Sequence, residues 1–177
     1  MKIFEIGVGQ IHQCRTLGYI GTDVECWLFE PNKYSFNEIS NRLGQEKNFK
    51  LFNLALGSEN KTVKLAIHEG ASYVIGAKAP ALGELNHSDD KYEQTEIAMR
   101  DIRDFDTGDI DVLLLDAEGS EYDIIKSLVS RPKKIIVEMY SFGVKYTNPY
   151  FNEILEWMKT NNYKIVYEHE DFIFEKQ

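Results

Sequence analysis

One apolar run restricts the folds open to this chain more than any other feature of its sequence. Residues 112–115 are all apolar and lie between Asp111 and Asp116. A strand with one face in water would alternate apolar and polar residues, so this run predicts a strand that is covered on both faces. Such strands occur almost only in parallel sheets with helices on both sides.

Strand-like and helix-like segments alternate along much of the chain. The other predicted strands are residues 3–6, 23–29, 49–53 and 134–139, and the predicted helices are residues 10–18, 34–43, the segment after residue 121 and about 149–160. Residues 163–167 and 172–174 are predicted to form a closing hairpin, which requires one antiparallel strand because so short a turn cannot join parallel neighbours. The pattern therefore predicts an α/β fold with a doubly wound, mostly parallel sheet.

The stretch from about residue 58 to residue 105 departs from this regular pattern. It contains an alternating strand at 62–67, an irregular segment, and a second alternating strand at 95–100 that could pair with the first. Long irregular segments inside compact domains are usually functional or mobile. We therefore expect one domain over residues 1–177, with a variable, substrate-facing insertion at about 58–105 in which Ser72 is a candidate substrate contact.

Charge and composition exclude several classes of partner. The chain has 20 Lys and Arg against 29 Asp and Glu, for a formal net charge of −9. This balance argues against binding to nucleic acid or to anionic membranes, both of which require basic patches. No apolar run approaches the ~20 residues of a membrane helix, and the N-terminus does not read as a signal peptide. Cys14 and Cys26 lack metal-site spacing and are predicted to be buried thiols, so we expect a cytoplasmic protein.

Acidic residues follow most of the predicted parallel strands. In open α/β sheets, ligands bind beyond the carboxyl ends of the strands. The acids at or near these ends are Glu5, Glu30, Asp116, Glu118 and Glu138. The sequence therefore predicts a ligand site along one edge of the sheet that is lined by negatively charged residues.

The first strand runs into a glycine turn at Gly7 and Gly9. Glycines let a backbone approach a ligand closely and leave N–H groups at the start of the next segment. The third glycine of a dinucleotide fingerprint is missing, and Glu5 just before the turn would repel a pyrophosphate. Both features argue against a nicotinamide-dependent reductase, which remains an alternative, and favour a ligand that carries positive charge.

Glu30 ends the second strand about 20 residues after the glycine turn. At this place an acid accepts hydrogen bonds from both hydroxyls of a ribose. A ribose close to positive charge fits S-adenosylmethionine, which carries a nucleoside, a sulfonium and an α-amino acid end.

Five segments together resemble the FkbM-type methyltransferases, a branch of the class I S-adenosylmethionine-dependent methyltransferases. The segments are Glu5-Ile6-Gly7-Val8-Gly9, Phe29-Glu30-Pro31-Asn32, Asn53-Leu54-Ala55-Leu56-Gly57, residues 110–121 with their Asp116-Ala117-Glu118-Gly119-Ser120-Glu121 block, and residues 131–138. The resemblance spans residues 3–140. It implies a Rossmann-like, seven-stranded sheet with the last strand antiparallel, and transfer of a methyl group to oxygen on a sugar or small metabolite. The expected cofactor-binding residues are Glu5, Gly7, Val8, Gly9, Glu30, Pro31, Asn53, Ala55, Leu56, Asp116 and Ala117.

The chain departs from the family's pattern at four positions. Gly9 replaces an Asn, Ile11 a Gly, Leu114 a Lys, and Tyr140 a His. Leu114 and Tyr140 favour the alternative that this is a catalytically inactive module which binds the cofactor and serves as a partner or regulator.

Asp116 and Glu118 are the candidate catalytic residues. An alcohol acceptor gains from a base that removes its proton during transfer, and two adjacent carboxylates could divide such roles. They could alternatively hold a divalent cation, but no third ligand is evident from spacing, so we expect no metal. Glu138 and Tyr140, like Ser72, are expected to contact the acceptor. Glu121 is expected to cap its helix or face solvent.

The remaining expectations concern the histidines and the oligomeric state. No pair of histidines has metal-ligand spacing, although His68 and His87 lie in the insertion, which could fold over the acceptor. A homodimer that covers the cleft is possible.

Overall fold

The computed structural model describes residues 1–68, 71–77, 91–141 and 146–177, without the side chains of residues 140, 141 and 146. In chain order its elements are β1 (Lys2–Ile6), β2 (Glu25–Phe29), α1 (Lys33–Leu43), β3 (Phe49–Phe52), β4 (Ala55–Gly57), β5 (Lys61–Ile67), β6 (Tyr73–Val74), β7 (Glu93–Asp101), β8 (Val112–Leu115), α2 (Glu121–Ser127), β9 (Lys134–Glu138), β10 (Tyr140–Ser141), β11 (Tyr146–Thr147), α3 (Phe151–Thr160), β12 (Tyr163–Glu168) and β13 (Asp171–Lys176).

The main sheet has seven strands in the order β12-β13-β9-β8-β1-β2-β3. The pairs from β9 across to β3 are all parallel, whereas β13 pairs antiparallel with both β9 and β12. The predicted doubly wound, mostly parallel seven-stranded sheet with an antiparallel last strand is therefore confirmed. The strand order reverses at β1, because the chain adds β2 and β3 on one side of it and β8 and β9 on the other. The carboxyl ends of β1, β2 and β8 therefore meet at the switch point of the sheet.

Two apolar layers cover the main sheet, one on each face. Helix α1 packs on one face through Ile39 and Leu43, and α2 and α3 pack on the other through buried residues such as Ile124 and Ile154. Strand β8 contributes to both layers, with Leu113 and Leu115 on one side and Leu114 on the other. The apolar run is thus covered on both faces, as predicted, and Leu114 is a core residue.

The helix predicted over residues 10–18 is wrong. The segment forms two short 3-10 turns, Ile11–Gln13 and Leu17–Tyr19, separated by an irregular stretch. The buried carboxylate of Glu5 accepts hydrogen bonds from the Arg15 N–H at 2.7 Å and the Thr16 N–H at 3.1 Å. These N–H groups would have bonded carbonyls four residues earlier in an α-helix. A long-range side-chain contact has therefore replaced the helix.

A second sheet, in the order β4-β7-β5-β6, contains the described parts of the insertion. Strands β5 and β7 pair antiparallel with Thr62 opposite Ala98, so the two predicted alternating strands do pair. The sheet also takes in Ala55–Gly57, which pairs parallel with the end of β7.

Two further findings concern the thiols and the helices. Cys14 and Cys26 are free and buried, as expected, and burial raises their pKa values to about 11 and about 12. No helix in the described ranges is both long and apolar enough to cross a membrane.

Candidate functional site

An open cleft of about 920 Å³ lies at the carboxyl ends of β1, β2 and β8, where the second sheet faces the main one. This volume includes space that is open to solvent. Most of the residues predicted from the sequence line it: Gly7, Val8, Gly9, Glu30, Pro31, Ala55, Leu56, Ser72, Asp116, Ala117 and Glu118. Residues from five separate parts of the chain are thus brought together in the cleft.

The glycine turn forms the floor of this cleft. Gly7 has a φ of +75°, and a β-carbon there would lie 1.6 Å from the backbone oxygen of Asp116. Gly9 has a φ of +68°, and a β-carbon there would lie 2.5 Å from the side-chain oxygen of Gln13. Only glycine lets the end of β1 pass this close to the end of β8.

Glu30 is buried beside the glycine turn. Its Oε2 accepts a hydrogen bond from the Gly9 N–H at 2.8 Å, and its Oε1 accepts one from the Asn32 N–H at 2.7 Å. Burial raises its pKa to about 7, although these backbone donors act in the opposite direction. Each carboxylate oxygen has a second lone pair, so the side chain can still accept hydrogen bonds from a ligand.

Two expected cofactor contacts do not line the cleft within the described structure. Glu5 is 3% exposed, and its carboxylate holds the backbone at Arg15 and Thr16. The Asn53 amide donates to the backbone oxygens of Glu30 and Pro31, at 2.8 and 3.1 Å. Both side chains therefore position the loops that line the cleft.

Three carboxylates meet at the ends of β8 and β9. Asp116, Glu118 and Glu138 each have an oxygen within 4.8 Å of the others, an arrangement that can share a proton or hold a cation. Burial raises the pKa of Asp116. Burial and the charge of Asp116 raise the pKa of Glu118 to about 8 and that of Glu138 to about 9. Glu138 is hydrogen-bonded to Asp116, so the two carboxyl groups share one proton.

Glu121 holds the turn that carries Glu118. Its carboxylate is 1% exposed and accepts hydrogen bonds from the Ala117 N–H at 2.8 Å and the Gly119 N–H at 3.0 Å. The amide of Asn148 adds a contact at 3.2 Å. Glu118 itself has a φ of +46°, a left-handed conformation that is unusual for a residue with a side chain. Glu121 therefore holds the turn before α2 from the helix's first residue, whereas the N-cap position is Ser120, and the solvent-facing alternative is wrong.

The second sheet is tied to the cofactor side of the cleft by Ser72. The Ser72 hydroxyl accepts a hydrogen bond from the amide of Asn32 at 3.0 Å and donates one to the backbone oxygen of His68 at 2.9 Å. His68 also lines the cleft. His87 and the side chain of Tyr140 lie outside the described residues.

Some cleft residues were missed by the sequence analysis. Those outside the segments of the family resemblance are Gln13, Arg15, Ser35, Leu65, Ala71 and Val74. Arg15 carried a usable signal, because it is the first Lys or Arg after the glycine turn. The others come from segments whose position depends on tertiary structure.

Residues 8–165 match the family model described as the methyltransferase FkbM domain. A solved SAM-dependent O-methyltransferase from Thermotoga maritima is 12% identical, with a TM-score of 0.48, and the match covers 99% of this chain and 58% of that one. No curated protein sequence matches significantly. Since the family model matches most of its length, this chain belongs to the FkbM methyltransferase domain family.

Proposed function

We propose that this chain transfers a methyl group from S-adenosylmethionine to a hydroxyl oxygen of a sugar or small metabolite. Membership of the family implies the donor. The observation that carries the proposal is the position of Asp116, which lines the cleft and also belongs to the cluster with Glu118 and Glu138. Asp116 would therefore place a proton acceptor next to the space in which the methyl donor, S-adenosylmethionine, would lie.

The residues of the cleft fit S-adenosylmethionine. The buried carboxylate of Glu30 keeps lone pairs for two ribose hydroxyls. Pro31, Leu54 and Leu56 offer an apolar surface for a purine. The carboxylates that line the cleft match a ligand with an ammonium and a sulfonium.

Within this site Asp116 would accept the proton of the acceptor hydroxyl. The cofactor supplies a methyl group on a positively charged sulfur, so the new carbon–oxygen bond forms as the carbon–sulfur bond breaks. The hydroxyl proton then passes to Asp116, whose raised pKa makes it a better base than an ordinary aspartate. The hydrogen bond between Glu138 and Asp116 would stabilise the single negative charge that this pair carries before transfer.

The acceptor would occupy the part of the cleft between the acidic cluster and the second sheet. His68 and Ser72 contribute polar groups from the segment beside the second sheet, and Glu118 contributes a carboxyl group from the turn after β8. Polar groups from both segments suit a ligand with several hydroxyls, which supports a sugar or small polar metabolite as acceptor. We also propose that residues 1–177 act as one catalytic domain, with the segment at about 58–105 facing the substrate.

The decisive experiment combines cofactor binding with methyl transfer. Calorimetry should detect binding of S-adenosylmethionine and S-adenosylhomocysteine, and transfer of labelled methyl should appear with a member of a panel of sugars and small alcohols. Asp116→Asn should reduce kcat by about 10²–10⁴-fold, with affinity for S-adenosylhomocysteine within a few fold. Asp23→Asn, on the exposed segment before β2, is the matched control and should leave both unchanged.

Two outcomes would reject the proposal. Binding without transfer to any acceptor would favour the inactive cofactor-binding module. Full activity of the Asp116→Asn variant would remove Asp116 as the base.

We also propose a homodimer. The edge strand β12 exposes three large apolar side chains in a row, Ile165, Val166 and Tyr167, each at least 43% exposed. Consecutive exposed apolar residues on an edge strand favour pairing with another chain. Sedimentation should give a dimer that Val166→Lys weakens, and a monomeric wild-type protein would contradict this proposal.

A further inference from the structure

Arg15 is a cleft residue to which the proposed reaction assigns no role. It lies beside the glycine turn, and within the described part of the chain it is the only Lys or Arg that lines the cleft. The other charged lining residues there are Glu30, Asp116 and Glu118, apart from the titratable His68. One fixed positive charge thus faces a predominantly anionic site.

Three hydrogen bonds to Glu5 hold the backbone that carries this side chain. The Arg15 N–H donates to Oε1, and the N–H and hydroxyl of Thr16 donate to Oε2, at 2.7, 3.1 and 2.6 Å respectively. Because Glu5 is buried at the end of β1, the position of Arg15 is fixed relative to the glycine turn. Glu5 is thereby a positioning residue for Arg15.

The guanidinium retains hydrogen-bonding capacity. Its Nη1 donates to Oδ2 of Asp171 at 3.2 Å, and its Nη2 lies 3.6 Å from Oδ2 of Asp116, which is beyond ordinary hydrogen-bond distance. About a third of the side chain is exposed. A guanidinium has five N–H donors in a planar fork, so Arg15 can bind another anion without leaving Asp171.

The proposed cofactor brings one group that the acids of the cleft cannot bind. Its ribose hydroxyls, ammonium and sulfonium suit carboxylates, but its own carboxylate would be repelled by them. Arginine is the side chain best matched to a carboxylate, because two parallel N–H groups can donate to its two oxygens. Arg15 is next to the glycine turn, where the amino acid end of an adenosyl ligand would lie if its ribose is at Glu30.

We infer that Arg15 binds the methionyl carboxylate of the cofactor and makes the site selective for adenosyl ligands that carry this group. The inference rests on the proposed function, because it assigns one end of the same ligand. It predicts discrimination against 5′-methylthioadenosine, which has the adenosine and the sulfur but lacks the amino acid end.

Calorimetry with two ligands and three proteins tests this inference. Arg15→Gln should weaken S-adenosylhomocysteine binding by roughly 10- to 100-fold, the range for a lost hydrogen bond to a charged group. The same variant should bind 5′-methylthioadenosine within about twofold of wild type, which also shows that it is folded. Asp171→Asn is the matched control: it removes the partner of Arg15 on β13 and should leave S-adenosylhomocysteine binding unchanged or slightly tighter.

The alternative outcomes are distinct. An equal loss for both ligands, or a loss in Asp171→Asn as large as in Arg15→Gln, would mean that the Arg15–Asp171 pair only supports the fold, and would overturn the inference. Unchanged S-adenosylhomocysteine binding by Arg15→Gln would overturn the inference about Arg15 and leave the proposed function intact. A wild-type protein that binds neither ligand would overturn the proposed function as well.

Discussion

The N–H of Gly9 donates a 2.8 Å hydrogen bond to the buried carboxylate of Glu30, which is 21 residues away in the chain. This bond joins the turn after β1 to the end of β2. Because the carboxylate occupies this donor, the turn is less able to bind a phosphate of a dinucleotide. The side chain of Glu30 therefore contributes to the preference of the cleft for ligands other than dinucleotides.

Replacement of Glu30 tests that role. Glu30→Ala should weaken S-adenosylhomocysteine binding at least tenfold, because the ribose loses its acceptors and the Gly9 and Asn32 N–H groups lose their partner. Glu30→Gln keeps the shape and one oxygen and should lose less. Calorimetry gives both values, with Glu153→Gln on the exposed face of α3 as the control. Unchanged affinity in Glu30→Ala would refute the ribose assignment.

The contact between Gly7 and Asp116 leads to a prediction about stability. Gly7→Ala would force a β-carbon to within 1.6 Å of a backbone oxygen at a φ of +75°, so both strain and overpacking would result. We expect a loss of about 3 kcal/mol or more, or roughly 10 °C in melting temperature for a chain of this size. Gly18→Ala is the matched control, because a β-carbon there would meet nothing within 4 Å. Similar melting temperatures for the two variants would show that the junction of β1 and β8 can relax.

The sheet could be predicted from sequence because its signals are local. The run at residues 112–115 and the closing hairpin are each defined by a few consecutive residues, and both are found where expected. The segment at 10–18 could not be predicted, since its backbone donors bond to Glu5, a residue up to eleven positions away. Local periodicity contains no information about such a contact.

The same distinction holds for the candidate site. Glu30, which lines the cleft, could be predicted from the sequence. Its spacing from the glycine turn follows from the length of one crossover. The proximity of Glu138 to both Asp116 and Glu118 depends on the register of β8 and β9, which the sequence does not specify. The bond between Ser72 and Asn32 depends on how the insertion folds back, so its residues could be proposed only as a group.

The acidic cluster predicts how stability changes with pH. Glu118 and Glu138 have pKa values of about 8 and about 9 in the folded chain, against roughly 4.3 for an unfolded glutamate. Between these values the folded protein binds more protons than the unfolded one. The contribution of these groups to stability is therefore complete below about pH 4 and is lost as the pH rises through about 8 and 9.

We expect the melting temperature to fall between pH 6 and pH 9.5. Glu138→Gln, which mimics the protonated side chain, should make this decline less steep, whereas Glu153→Gln should not alter it. Differential scanning fluorimetry across this range measures both slopes. A melting temperature that rises with pH in the wild-type protein would contradict the raised pKa values.

The cluster of Asp116, Glu118 and Glu138 also allows a test of metal dependence. Three carboxylate oxygens within 4.8 Å of one another could hold a divalent cation, and the third of them was not evident from spacing. Glu138 and Asp116 are hydrogen-bonded and both have raised pKa values, so a metal would have to displace the proton that this pair shares. We therefore expect methyl transfer at pH 7 to keep at least half its rate in excess EDTA, and added Mg²⁺ to change it less than twofold. Loss of activity in EDTA and its recovery on addition of Mg²⁺ would instead make the cluster a metal site, and a shift of its metal affinity in Glu138→Gln would identify Glu138 as the third ligand.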